Sequence, residues 1–410
     1  MKTDKFNSFL FFTIFFLTFL GYYALLLVLF NLGMSETSQI VTIPIRLLIC
    51  ACLTLLLIKI QFSSSRDSHN KKLIYLFLLF AFFYVARLFV EYITNENYYM
   101  SSIQVLLYFI SFAFIPFIVL VKAQLNDRII DEIFRAFFWG GFMFSILVLY
   151  YYSKFIGQVV RLTPETAGEE VLSPLALSYS SSLVIGVFAF FLLKNKTSFT
   201  KKIFLIGTII LALIPFFLGA SRGSVIALAV PFLLYFFFRK GVNFKIRALL
   251  VSGLAMSGLV YLDSYLKSGL LDRFLGISKA IETGASSASR LDIWKNSLKQ
   301  FANNPIWGDK LRVEGSENYP HNLFVEVLQT TGMLGFIPFL LLVIMAWRKV
   351  FYILKFHKNY FWLTLIFIQA FFMNMFSGAI YTAGWFWTGM ALLFSLAYKL
   401  RHKPKLFYNS

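Results

Sequence analysis

The sequence predicts an all-α, polytopic integral membrane protein of about twelve transmembrane helices, and three observations carry that prediction. First, 59% of the 410 residues are hydrophobic. At about 20 apolar residues per span, that is enough for roughly twelve helices. Second, charged residues make up only 14%, against about 25% in a soluble domain, and mean hydropathy is +0.74. Third, the apolar residues form continuous runs that do not alternate, which excludes a transmembrane β-barrel. A soluble globular fold has no place for so much apolar surface. Disorder and a disulfide scaffold are excluded by the same composition.

The expected spans, in order, are Phe9–Phe30, Ile40–Leu57, Leu73–Val90, Ile103–Val121, Ile133–Tyr151 and Leu175–Leu193. They continue with Ile203–Leu218, Ser224–Phe238, Ala248–Leu262, Thr331–Trp347, Phe361–Ile380 and Gly384–Tyr398. The first is too long for a signal-peptide core and is read as a retained span. Ser224–Phe238 and Ala248–Leu262 are the shortest-looking of the set. Cys50 and Cys52, two apart in an apolar run, read as small core fillers. No internal repeat or linker divides the chain, so residues 1–410 read as one polytopic domain.

Charge sets the orientation. Alternate connections are basic: Lys59, Arg66, Lys71 and Lys72; then Lys122, Arg128 and Arg135; then Lys194, Lys196, Lys201 and Lys202. Arg239, Lys240, Lys245 and Arg247 continue the set, followed by Arg348, Lys349, Lys355 and Lys358, and both termini belong to it. The positive-inside rule puts these segments and both termini in the cytoplasm. They hold 25 of the 38 Lys and Arg but only five of the 19 acids. The net charge of +19 is therefore an orientation signal, and nucleic acid is not an expected partner. Two outward connections are long: residues 153–173, and residues 263–329 between spans nine and ten. The second should carry amphipathic helices. Long loops of this kind usually carry function.

The outer face offers few chemical groups. Of the four histidines, His321 alone faces outward. It follows Tyr319–Pro320 and precedes an apolar helix, so an imidazole suited to proton transfer stands at the membrane surface. Arg222 lies in the tight turn Gly219–Ala220–Ser221–Arg222–Gly223–Ser224, where a cation at the bilayer surface calls for an anionic partner or a lipid phosphate. Its small neighbours would let a substrate approach the backbone. Arg290 opens a helix in which Leu291, Trp294, Leu298 and Phe301 form an apolar stripe. A cation there opposes the helix dipole. Leu291, Trp294 and Leu298 should pack on the protein or lie in the interface. Arg161 sits in the first long outer loop. Arg46 and Arg87 lie near the outer ends of their spans, where both can snorkel outward and Arg87 can pair with Glu91. Nucleotide-binding, H-E-x-x-H and D-x-D motifs are absent, and no metal or other cofactor is expected.

Three motifs carry a resemblance. His321–Asn322–Leu323–Phe324–Val325–Glu326–Val327–Leu328, running on to Thr331–Gly332–Met333–Leu334–Gly335, resembles an H-N-x-x-x-E-x-L…G-x-x-G signature. Ser221–Arg222–Gly223 resembles a short-loop arginine motif. Arg290-x-x-x-Trp294 with Asn304–Pro305–Ile306–Trp307–Gly308 resembles an R-x-x-x-W…P-x-x-G segment. Together they are similar to the O-antigen polymerase and O-antigen ligase superfamily of bacterial membrane glycosyltransferases. Lys310 stands where many members have a second glycine. The resemblance implies a GT-C-like, inverting, metal-independent transferase in the plasma (inner) membrane, acting on its outer face on a glycan carried by undecaprenyl diphosphate. By match, Arg222 and Arg290 bind the donor diphosphate, Arg161 adds a cation, and His321 is the base on the acceptor hydroxyl. Ser221, Asn322 and Glu326 belong to the same substrate-binding set, the last two orienting the histidine loop.

The leading expectation is polymerisation of lipid-linked repeat units into a surface polysaccharide, because Tyr319–Pro320–His321–Asn322 looks like the polymerase branch. The alternatives are a ligase that moves the glycan to lipid A core or another acceptor, a polysaccharide transporter or flippase, and an assembly scaffold. A chain-length regulator is a further partner to consider. A transporter calls for ionisable residues at mid-bilayer and often for repeats. Here the ionisable residues gather outside or near span ends.

Overall fold

The computed structural model describes residues 2–30, 39–62, 70–94, 100–159, 161–162, 172–193, 198–239, 257–258, 260–275, 286–316 and 319–402. Every regular element among them is helical. Helices α1 (Lys2–Thr18) and α2 (Leu20–Phe30) form the first span, bent by 61° at Phe19. Trp385 Nε1 donates to Thr18 O at this bend (2.8 Å), satisfying a carbonyl that the break releases. Next come α3 (Gln39–Phe62) and α4 (Lys71–Thr94). The fourth span joins α5 (Ser102–Phe109) to α6 (Ile115–Lys122) through a π turn, Ile110–Phe114. Pro116, lacking an N–H, cannot close the bond to Phe112 O there.

Then follow α7 (Asp127–Tyr152), α8 (Pro174–Leu192), α9 (Phe199–Gly219) and α10 (Arg222–Phe238). Two helices, α11 (Leu270–Leu275) and α12 (Ser286–Asn303), lie in the long loop, so the amphipathic helix expected there forms. The chain closes with α13 (Leu323–Phe356), α14 (Phe361–Ser377) and α15 (Gly384–His402).

Among the described residues, eight helices are long and apolar enough to cross a membrane, or nine counting the bent pair. They coincide with nine of the expected spans. The eighth, α10, has 17 residues, at the short end of the range of about 17–25 for a span. The ninth, Ala248–Leu262, lies mostly outside the described residues. The last, α15, is a helix where expected, but it carries Lys399 and Arg401 and is wrapped by protein: Phe386, Trp387, Met390 and Leu393 are all buried. It contacts α6, α13 and α14. A helix shielded on all sides need not be long or apolar enough to face lipid by itself.

In α12 the buried residues are Ser297 and Gln300, while Leu291 and Leu298 are exposed, which, of the two expected placements, suits the membrane interface and not packing on the protein. The polar face packs inward because Gln300 bridges the loop beneath it, donating to Asp309 and Arg312 O and accepting from Glu314 N. Arg46 does not run out to the helix end. It lies over the rings of Tyr108 (4.3 Å) and Phe112 (4.7 Å). Arg87 does pair with Glu91 (3.5 Å) and also reaches Asp309 (3.7 Å). Glu91 in turn accepts Leu311 N, so this pair clamps the outer loop to α4.

Candidate functional site

The site is built where α7, α9 and α14 end and α8, α10 and α13 begin. Helix α9 stops at Ala220, whose φ of 41° is left-handed. The Ala220 N–H returns to Phe216 O and Phe217 O, an αL-type stop. Ser221 is buried, and its N–H donates to Ser178 Oγ (3.3 Å) on α8. The glycines around it serve packing. A Cβ at Gly219 would collide with Pro174 O and Ser178 Oγ, and one at Gly223 with the Tyr179 hydroxyl. The space that seemed open to substrate is filled by α8. Arg222, the first residue of α10, is half-buried above this turn.

Three more arginines converge on it, each anchored at the C-terminal end of a helix. Arg161 Nε donates to Gly219 O (3.1 Å). Arg273 donates to Ala220 O (2.9 Å). Arg290 donates to Phe376 O (3.2 Å), near the end of α14. Terminal carbonyls lack helical partners and carry the negative end of the dipole, so they suit cations. The bonds of Arg273 and Arg290 each use one N–H of a guanidinium that carries five donors. Among the described residues, no ion pair includes Arg222, Arg273 or Arg290.

The clustered charges act on one another. Arg161 is pushed down to about 10 by burial and by the charges of Arg273 and Arg290, and so stays cationic at neutral pH. Arg273 is lowered by burial and then by Arg222 and Arg290. Sequence reasoning missed Arg273. Nothing local marks it, and its position depends on a tertiary cap: buried Asp263 accepts from Leu270 N (2.9 Å) and Leu271 N (3.1 Å), starting α11.

His321 stands beside this cluster. Its φ is 56°, a left-handed conformation that costs a non-glycine residue energy and is often kept at functional sites. The surroundings enforce it. Asn322 caps α13, its Oδ1 accepting from Phe324 N and Val325 N. Trp294 Nε1 donates to Pro320 O (2.7 Å), so the helix that carries Arg290 also holds the histidine loop. The Tyr319 ring lies 4.3 Å from the imidazole. Burial and the Arg290 charge lower His321 to about 4, leaving the ring neutral and able to accept a proton at neutral pH.

The other predicted residues support the loop rather than border the cations. Glu326 is fully buried and accepts Ile380 N (3.0 Å), tying α13 to the α14–α15 connection. The two glycine motifs meet at their backbones. Gly332 breaks α13 with φ 56° and ψ −160°, and the Asn304–Gly308 loop fills the break through Met333 N to Pro305 O (2.8 Å) and Leu334 N to Ile306 O (3.3 Å). Gly308 is left-handed too. Lys310 has no left-handed φ, so the turn needs no second glycine. Its carbonyl accepts from buried Gln329.

Residues 207–340 match the O-antigen ligase family. This segment holds Arg222, Arg273, Arg290 and His321 and bears out the resemblance read from the three motifs. No curated protein and no solved structure matches the chain.

Proposed function

We propose that this multi-pass membrane protein, with its O-antigen ligase segment at residues 207–340, polymerises undecaprenyl-diphosphate-linked oligosaccharide repeat units into a surface polysaccharide. In this reading the chain has twelve spans, both termini in the cytoplasm, and its site on the outer face of the bacterial plasma membrane. The observation that carries the reading is the convergence of Arg161, Arg222, Arg273 and Arg290, from separate segments, next to a neutral His321.

The acceptor hydroxyl oxygen attacks the anomeric carbon of the donor sugar, and the new carbon–oxygen bond forms as the bond to the diphosphate breaks. The diphosphate leaves with the electron pair, and the hydroxyl proton passes to His321. Attack opposite the leaving group inverts the anomeric centre. Charge grows on the departing diphosphate, where fixed guanidinium forks stabilise it more in the transition state than in the ground state. The ligase reading uses the same donor and site with lipid A core or another acceptor. Purified protein given only undecaprenyl-diphosphate-linked repeat units separates the two. A ladder of longer lipid-linked products is expected; elongation absent until a core acceptor is added would replace the polymerase with the ligase.

A further inference from the structure

A mostly apolar pocket with a few polar groups lies beside the α1–α2 bend, lined by none of the four clustered arginines. It has a volume of about 320 Å³ and is bordered by the α1–α2 bend, α3, the π turn, and the start of α15. That is the low end of the range for small-ligand sites, about 300–1,000 Å³. Arg46 borders it, with Thr18, Tyr22, Thr388 and Trp385 among the other walls, and its described lining contains no Asp or Glu.

Two of its polar groups lack hydrogen-bond partners among the described residues. Arg46 Nε is buried without an acceptor, and so is the Thr388 hydroxyl, on a residue only 1% exposed. A guanidinium within an apolar bundle is costly unless an anion meets it. The rings of Tyr108 and Phe112 compensate part of that cost, but a ring face does not satisfy an N–H. The helix that carries Arg46 turns Ile43, Leu47 and Leu48 outward, 44%, 63% and 49% exposed, an apolar surface suited to acyl or isoprenoid chains.

We propose that this pocket binds a phosphate group carried on a lipid, held by Arg46 and Thr388. A single phosphate supplies acceptor oxygens for both. A row of aromatic contacts runs between Arg46 and His321: Arg46 lies on Tyr108, Tyr108 stacks on Tyr381 (6.3 Å), and Tyr381 meets Tyr319 edge-on (6.2 Å). The proposal does not depend on the transfer reaction.

The test uses full-length protein carrying Arg222→Gln and Arg290→Gln, so that the arginine cluster does not compete. Native mass spectrometry and thermal shift in detergent measure binding of phosphatidylglycerol, farnesyl diphosphate and inorganic phosphate. At least one of the two lipids is expected to bind and raise Tm, and which one does identifies a phospholipid headgroup or an isoprenoid diphosphate as the source. Arg46→Gln should weaken that binding about tenfold, and Thr388→Val by a smaller factor. In lipid-depleted detergent Arg46→Gln should hold or raise Tm, because a buried charge without an anion is removed. Binding of inorganic phosphate alone, binding of none of the three, unchanged lipid binding in both variants, or a fall in Tm for Arg46→Gln without lipid would each overturn the proposal.

Discussion

The depressed basicity of His321 makes a prediction that separates it from an ordinary surface histidine. In the free protein the imidazole titrates near about 4, because it is buried and faces Arg290. The sign follows directly: lowering the folded-state value favours the neutral ring, so proton uptake waits until the pH is well below the usual histidine range. At pH 5.5 a group of pKa 4 is about 3% protonated, whereas one of pKa 6.5 is about 90% protonated. A donor diphosphate placed on Arg290 cancels its positive field and adds negative charge, so the bound complex should titrate higher. The acid limb of kcat/KM reports the free enzyme and that of kcat the complex. Elongation rates measured across pH at limiting and saturating donor should therefore give two different limbs: kcat/KM nearly flat down to pH 5.5, and kcat falling earlier. A diphosphate substituted at both ends has no proton to exchange in this window, so the substrate does not blur the comparison. A kcat/KM limb at the ordinary histidine pKa, or identical limbs in both profiles, would refute the argument.

Arg222→Lys keeps the charge but loses the bidentate fork; kcat should fall about 10²-fold or more, with Tm unchanged, as read by product ladders and thermal melts. Arg273→Gln should lower both activity and Tm, because it also releases Ala220 O. Gly332→Ala should destabilise the fold by about 1–3 kcal/mol, since its φ of 56° is glycine-like and the new Cβ meets Ile306 O; detergent-solubilised Tm is the readout, and no shift would contradict the backbone contact. Trp294→Phe keeps the ring but loses the bond to Pro320 O, so kcat should drop while KM for the donor holds, because the loop that aims His321 loosens; an equal rise in KM would point to a binding role instead.

Nine of the expected spans are legible because they rest on a local property, runs of apolar residues. Arg222, Arg290 and His321 were found from short motifs whose residues are close in sequence. Arg273 has no such motif. It reaches the turn only because Asp263 caps α11 from outside that helix. The burial of Ser297 and Gln300 in α12 is equally non-local: Gln300 and Gln329 supply the hydrogen bonds of an irregular loop, and a buried loop carbonyl without a partner would cost more than an exposed leucine. The glycines of the two segments could be seen in the sequence, but not that Gly308 and Gly332 serve a single backbone contact.

The arrangement also explains how like charges stay together before a substrate arrives. Arg161 and Arg273 share the end of α9, and Arg290 takes the end of α14. In each case the negative pole of a helix offsets part of the repulsion. Arg222 has the opposite placement. It occupies the first turn of α10, where the dipole is positive and adds to the field of its neighbours. The three anchored arginines therefore do two jobs, closing helix ends and holding positive charge in place, while Arg222 is the least compensated cation of the set. In the proposed reaction an entering diphosphate would gain most by meeting it, because there it would relieve both the helix dipole and the neighbouring guanidinium groups. The same logic places the neutral histidine. Burial and Arg290 keep the imidazole free of its proton, and on the proposed mechanism the base would gain strength once a bound donor masked that charge.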